Sequence, residues 1–329
     1  DINDFINTDV SIGSGTFGTV FIVKEKKTDE RYAAKVSKFP LEKISKVFSR
    51  EISVLSALNF PSILRFRGYS EEDFGGEPNP VILTEYLKRG SLAKVLDSER
   101  KGTLEEDGFG DWNNTKKMIN LIGIALGMNY IHDHNFIHRD LKSENILLDD
   151  NLYPKICDFG QSKLFEQGTD QTMRVGSPIF MAPEVTGFME DEDEETYTPA
   201  ADVFSYGIIS YEIFSKQIPI VPGKNQFNIM RNIARGKIPN LEFVPENLRE
   251  FIDILWKQDY KERPPFSDVI TTLLTDKDKC WLDDVDEDEV ENYLHQFGLS
   301  LKPRNISPNI KIIQDITEET YPDYAKEPK

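Results

Sequence analysis

The stretch VSIGSGTFGTVFIVKEKKTDERYAAKV, residues 10–36, carries the reading of this chain. Gly13, Gly15 and Gly18 stand at G-x-G-x-x-G spacing with Ser14, Thr16 and Phe17 between them. Glycines so spaced let backbone N–H groups approach phosphate oxygens, although a plain Gly-rich hairpin uses them as well. The residues that follow discriminate. A dinucleotide-binding unit needs a helix directly after the glycines, whereas Val20-Phe21-Ile22-Val23 continues as a strand of β-branched and aromatic residues. The glycines therefore join two strands, 10–12 and 20–23. Residues 26–31 form a hairpin connection to a third strand, 32–36, which carries Lys35 after Ala33-Ala34.

Working outward, Ile52, Leu55 and Leu58 recur on one helical face that ends before Pro61. Strands are predicted around 63–69 and 81–86, separated by the turn-rich 71–80. From Ser91 the pattern turns helical. Met118, Ile119, Ile122, Ala125, Leu126 and Tyr130 predict a long amphipathic helix before His132. Further helices are predicted at 201–214, 227–234, 248–258 and 266–275. The expected fold class is α+β in two lobes. A small antiparallel sheet with one helix spans about 1–86, and a larger, mainly helical lobe spans about 87–276, with the hinge at 85–90. Three segments look inserted: 99–110, the acidic 190–195, and the acidic extension 277–329. In the last, Val290, Tyr293, Leu294 and Phe297 predict a short helix docked on the body or a partner, followed by a weakly ordered end.

The 329 residues carry 39 Lys plus Arg against 57 Asp plus Glu, a formal net charge of −18. That balance argues against a nucleic-acid surface, which needs basic charge to replace counterions. Apolar residues at 39% are enough for a packed core. No apolar run approaches the roughly 20 residues of a membrane helix. Two cysteines, Cys157 and Cys280, make no disulfide framework, so an intracellular, cytoplasmic location is expected. A chain that begins at Asp1 reads as a piece of a longer one.

Three further runs complete the pattern: His138-Arg139-Asp140-Leu141-Lys142-Ser143-Glu144-Asn145, Asp158-Phe159-Gly160 and Ala182-Pro183-Glu184. With the glycine stretch and Lys35 they occur in the order and at the internal spacings that mark one family. Over about residues 5–276 the chain resembles a eukaryotic protein kinase catalytic domain. Lys142 in Leu141-Lys142-Ser143-Glu144 is similar to the Ser/Thr type. Thr84-Glu85-Tyr86 and Gly90-Ser91-Leu92 resemble the tyrosine-kinase-like group, and dual specificity stays open.

The resemblance implies a two-lobed kinase fold that transfers the γ-phosphoryl group of ATP, with Mg2+, to Ser/Thr hydroxyls of protein substrates. The chemistry needs cations and positioning more than covalent steps. Lys35 would hold phosphates, oriented by Glu51, with Glu42 the competitor that lies before the apolar face. Asn145 and Asp158 supply hard oxygen ligands for Mg2+. Asp140 would accept the substrate hydroxyl's proton, and Lys142 would neutralise the moving phosphoryl group. The nucleotide would lie among Ile12, Gly13, Ser14, Gly15, Thr16, Phe17, Gly18, Val20, Ala33, Thr84, Glu85, Leu87 and Leu147 (or Leu148). Thr84 takes the gatekeeper position, with the hinge backbone at 85–87. Cys157 reads first as a small buried apolar residue; its place before Asp158 also suggests a thiol that faces this pocket, within reach of an electrophile but not a catalytic nucleophile.

His138 is expected to pack on Phe159, and His132 and His134 to be surface or turn residues. Arg139 would bind a phosphate added to the segment 161–181, with Thr172 the preferred site and Thr169 the second. Ser177 stands in the position of a Thr and would bridge Asp140 and Lys142. Glu184 and Arg263 would form a buried pair. Phe60, Phe204 and Gln161 depart from the family's His, Trp and Leu. The rivals are a nucleotide-binding pseudokinase scaffold, which has no need of Lys35, Glu51, Asp140, Asn145 and Asp158 together, and a metabolite kinase. Nothing in the sequence sets an oligomeric state.

Overall fold

The computed structural model describes residues 1–15, 18–40, 46–164, 178–188 and 197–301. Five strands, β1 (Phe5–Ser14), β2 (Gly18–Glu25), β3 (Arg31–Ser37), β4 (Phe66–Ser70) and β5 (Val81–Glu85), form an antiparallel sheet in the order β1-β2-β3-β5-β4. Side chains alternate across a strand, so register assigns them to faces. Phe5, Val23, Tyr32, Ala34, Val81 and Leu83 close a small core on one face. Val20 is paired with Lys35, Lys35 with Ile82, and Ala33 with Thr84, so these five share the opposite face. Helix α1 (Lys46–Ala57) covers that face, with Phe48, Val54 and Leu55 joining Ile82 in the main core. The strand predicted at 63–69 starts later, at Phe66, because Ile63 bridges to Ile156 of the other lobe instead.

The larger lobe holds α2 (Leu92–Lys101), α3 (Asn114–Asp133), β6 (Phe136–Ile137), β7 (Ile146–Leu148), β8 (Pro154–Ile156), β9 (Lys163–Leu164), α4 (Pro199–Ser215), α5 (Gln226–Ala234), α6 (Glu246–Leu255), α7 (Phe266–Thr275), α8 (Lys277–Cys280) and α9 (Glu287–His295). This is the two-lobed α+β architecture that the sequence predicts. The long helix predicted as amphipathic is instead enclosed on all sides: buried residues of α3 run almost unbroken from Thr115 to Ile131. Helices wrapped by protein lose the solvent face that would give them a polar stripe. Gly127 permits a close approach, since a Cβ there would overlap Ile156 and Ser62. The segment 99–110 is no loose insert either. Its first turn is the end of α2, Phe109 and the adjacent Trp112 are buried, and Glu99 pairs with Lys117 of α3 at 2.6 Å. The acidic run 190–195 lies outside the described residues.

Three buried ionisable groups brace this lobe, a salt-bridged pair and a lone carboxyl. Arg263 donates from Nη1 to Glu184 Oε1 (2.7 Å) and from Nη2 to Oε2 (2.8 Å), and also reaches the carbonyls of Ala200 and Lys257. The pair expected from sequence is thus present, doubly bonded and sealed from water. Glu212 on α4 faces Ser143 with only 7% of its surface exposed. Burial pushes its carboxyl up to about 7; Ser143 and Arg100 oppose this and Glu144 reinforces it.

Removing one partner of a sealed ion pair leaves the other charge uncompensated, so Glu184→Gln is expected to lower the unfolding free energy by about 3–5 kcal/mol in urea titrations. A loss below about 1 kcal/mol would contradict the role given to the pair. For Glu212 the folded value lies above the ordinary 4.5, so the fold favours the neutral acid. Its contribution is fully present below about pH 4.5 and is lost as pH rises through 7. Glu212→Gln should therefore match wild type near pH 4.5 and exceed it by roughly 1–3 kcal/mol at pH 8. Parallel stability curves across that range would remove the assignment.

Candidate active site

Gly18 opens β2 where the strand presses on β3; a Cβ there would collide with the Val36 carbonyl, so only glycine fits this approach. Gly15 N–H donates to the Gly18 carbonyl at 2.9 Å, closing the turn. Lys38, just beyond β3, donates to the Gly15 carbonyl (2.6 Å) and to Ser14 Oγ (3.2 Å). Sequence reading passed over Lys38, although its place three residues after Lys35 at the mouth of the strand was the available signal. Gly13, Ser14 and Gly15 are exposed and Ile12 is 46% exposed; Thr16 and Phe17 lie outside the described residues.

Beneath this turn Lys35 Nζ stands 2.5 Å from Glu51 Oε2 and 3.9 Å from Asp158 Oδ1. One residue comes from β3, one from α1 and one from the larger lobe. Burial works against the Lys35 charge, but Glu51 and Asp158 outweigh it and hold its pKa above the ordinary 10.5. Glu42 lies outside the described residues. Asp158 adopts φ 63° and ψ 68°, a left-handed conformation that Asp tolerates better than most residues. The turn leaves its carboxylate 45% exposed while Phe159 is fully buried beside His138, ring centroids 5.2 Å apart.

Asp140, Lys142 and Asn145 form a second cluster. Lys142 Nζ donates to Asp140 Oδ2 at 2.6 Å, and Asn145 Nδ2 donates to the Asp140 carbonyl (2.8 Å) and Oδ2 (3.1 Å). Cys157 N–H donates to the Asn145 carbonyl at 2.9 Å, which puts Asn145 beside the start of the Asp158 turn. Asn145 spends its amide N–H groups on Asp140, so its side-chain oxygen is the atom left to ligate a cation. Among the described residues no three His, Cys, Asp or Glu side chains group closely enough to hold a metal. Two oxygen donors, Asn145 and Asp158, nevertheless fit Mg2+, which keeps water and phosphate oxygens as its other ligands.

The backbone at 138–139 is set from below. Asp202 of α4 accepts from the N–H groups of His138 and Arg139, each at 2.9 Å, and lies 2.8 Å from His132 Nε2. Burial opposes charge on Asp202, yet His132 and the His138 N–H outweigh it and keep the carboxyl below its ordinary value. His132 is therefore no surface residue; it faces the core as a partner of Asp202. His134 does cap the end of α3, its Nδ1 2.8 Å from the Tyr130 carbonyl. The Arg139 guanidinium lies 4.3 Å over the Tyr197 ring, and burial pulls its pKa down while Tyr197 resists. Thr169, Thr172 and Ser177 lie outside the described residues.

On the sheet side, Val20 and Ala33 are partly exposed and Thr84 is buried at the end of β5. Glu85 N–H donates to the Arg65 carbonyl (3.0 Å), and its carboxylate accepts from Arg65 N–H at 2.7 Å. That carboxylate is thus structural. Leu87 is partly exposed beyond it. Alternation in β7 separates the two candidate leucines: Leu147 is partly exposed and Leu148 is wholly buried. For Cys157 the structure favours the buried reading over a thiol open to the pocket. The residue is buried, and burial, with Asp158 and Glu51 adding, pushes its thiol far above the usual range. An electrophile needs an accessible thiolate, which this environment withholds.

The protein kinase domain family matches residues 6–274. A probable serine/threonine-protein kinase of Dictyostelium discoideum is 34% identical over 275 residues, covering 80% of this chain and 27% of its own length. Seven transmembrane domain-containing tyrosine-protein kinase 1 of the same organism is 36% identical over 236 residues, 69% of this chain and 31% of the relative. The dual specificity protein kinase shkC, also from that organism, is 30% identical over 280 residues, 82% of this chain and 51% of the relative. The chain thus spans between about a quarter and a half of the length of these relatives. With its glycine turn, its Lys35–Glu51 pair and a family match over most of its residues, the chain belongs to the protein kinase domain family.

Proposed function

We propose that this domain transfers the γ-phosphoryl group of ATP to Ser and Thr hydroxyls of protein substrates. The observation that carries the proposal is Lys35 held between Glu51 and Asp158 at 2.5 and 3.9 Å, an ammonium fixed where two lobes meet. Lys35 binds the α- and β-phosphate oxygens, and Glu51 keeps it aimed. The backbone N–H groups of the glycine turn approach the phosphates from above, and Lys38 steadies that turn. The adenine lies between Val20 and Ala33 on one side and Leu147 on the other, against Thr84, with the backbone at 85–87 as its polar edge. Asn145 and Asp158 hold Mg2+, which when bound neutralises phosphate charge. Asp140 aims the substrate hydroxyl and accepts its proton, while Lys142, 2.6 Å away, balances charge on the moving group. No step requires a covalent enzyme intermediate.

Regulation follows from chemistry around Arg139. A phosphothreonine at Thr172, or at Thr169, brings nearly two negative charges that an Arg can pair; Ser177 is assigned to the link between Asp140 and Lys142. The catalytic unit spans about 1–276, with 277–329 as an acidic extension. No helix among the described residues is long and apolar enough to cross a membrane, and we assign the domain to the cytoplasm. The scaffold reading loses ground because Lys35, Glu51, Asp140, Asn145 and Asp158 are all present. Dual specificity keeps a place, because relatives named dual specificity and tyrosine kinases are 30% and 36% identical.

The test uses purified chain, labelled ATP, Mg2+ and a mixed protein substrate. Wild type should phosphorylate Ser and Thr, and Asp140→Asn should lose about 10²–10⁴-fold in rate with ATP affinity retained, the usual size of a lost acid–base group. Lys35→Met should instead weaken ATP binding and rate together. Nucleotide binding without transfer by wild type would select the scaffold, and phosphotyrosine in the product digest would select dual specificity.

A further inference from the structure

The turn after α9 reaches back to the loop that follows α1. The Phe297 ring lies 5.2 Å from Phe60, and Phe60 stacks on Tyr130 of α3 at 4.4 Å and 14°. On its other side Phe297 meets Tyr293 (5.1 Å), which meets Tyr153 (4.9 Å). A row of aromatic rings therefore runs from the end of the Glu51 helix to the base of β8. Asn59 N–H donates to Tyr130 Oη at 3.4 Å, and Ser62 and Leu64 bond to the backbone of Ile156 at 2.8 and 2.9 Å. The α1–β4 loop is thus tethered to the larger lobe, and its outermost ring contact comes from the extension.

That extension is firmly seated. Glu289 pairs with Lys116 and accepts from Tyr153 Oη at 3.0 Å. Thr115 Oγ1 accepts from Asp286 N–H (2.8 Å), and Asn114 Nδ2 donates to the Asp283 carbonyl (2.9 Å). Gly123 leaves the space that the Tyr293 hydroxyl occupies; a Cβ there would overlap it. Glu291 accepts from Leu301 N–H at 2.6 Å and from Ser300 Oγ, folding the chain after Phe297 back on itself. All of these extension residues lie beyond the family match at 6–274.

A helix transmits displacement of one end along its length, and Glu51 sits on α1 nine residues before Phe60. We propose that Phe297 is a positioning residue: by packing on Phe60 it holds α1 where Glu51 reaches Lys35, so that the C-terminal extension sets the activity of the domain. The kinetic part rests on the proposed role of the Lys35–Glu51 pair; the packing part does not.

The experiment compares the full chain with Phe297→Ala, Phe297→Leu, Phe297→Tyr, Glu51→Gln, the double variant Glu51→Gln/Phe297→Ala, and Lys277→Ala, which removes the peripheral Lys277–Glu287 pair without touching the stack. Amide hydrogen exchange across α1 and kcat and KM for ATP are measured well below the unfolding temperature of every variant. Phe297→Ala should exchange roughly three- to tenfold faster in α1 and lose kcat/KM by a similar factor, about the worth of one aromatic pair. Phe297→Leu should do the same in weaker form, which covers the case of an Ala variant that fails to fold. Phe297→Tyr should restore both readouts, Lys277→Ala should match wild type, and the Phe297→Ala effect on kcat/KM should vanish in the Glu51→Gln background. Unchanged α1 exchange in Phe297→Ala and Phe297→Leu, or an equal effect in Lys277→Ala, overturns the proposal. A fully active Glu51→Gln overturns its kinetic part by removing the pair's role, while the exchange data still decide the packing part.

Discussion

A carboxylate sealed inside α4 governs where the reactive groups can be. Asp202 is 1% exposed, and its charge is compensated by the N–H groups of His138 and Arg139 and by His132. Withdrawing those partners would strand a buried charge, at a penalty of several kcal/mol. The backbone at 138–139 is therefore held, with Arg139 in the left-handed region at φ 69°. Asp140 follows directly. Asn145 and Lys142 bond to Asp140, and Cys157 bonds to Asn145, so one buried anion fixes a chain of groups that ends at Asp158.

The smaller lobe contributes the opposite charge. Lys35 is placed by strand register, on the same face as Val20, Ala33, Ile82 and Thr84, and its partners come from two other elements. A charge set shared by three elements is sensitive to their relative movement, because Coulomb attraction and hydrogen bonding both fade within a few ångströms. Net charge says little about such a site. The chain carries −18 overall, yet charges beyond about 10 Å are largely screened by salt. The proposed phosphate site instead gathers Lys35, Lys38, Lys142 and backbone N–H groups.

Much of this was legible before any coordinates. The helices at 201–214 and 266–275 differ from α4 and α7 by at most two residues at either end, because long apolar periodicity is hard to misread. The Glu184–Arg263 pair was foreseen because family position names both partners. Other features were hidden by burial that depends on distant elements. His132 reads as a surface or turn residue until α4 brings Asp202 to it, 70 positions away. The amphipathic look of α3 dissolves once β8, α4, α7 and α9 enclose it. Leu147 and Leu148 are interchangeable in composition, and only the pairing of β7 with β8 leaves one partly exposed and buries the other. Cys157 looks available beside Asp158, but its burial keeps the thiol neutral.

The sequence alone determined the class of the molecule and the identity of its charged groups, since short motifs in fixed order encode chemistry that backbone turns and hard ligands require locally. Tertiary structure decided which of those groups meet, and how closely. It brought Lys35 to Glu51 and Asp158 and Asp202 to the 138–139 backbone, and it laid Phe297 from the far end of the chain against Phe60. The physical reason is that contacts between residues tens or hundreds of positions apart depend on how whole elements pack, and packing is a property of the assembled core that no local pattern carries.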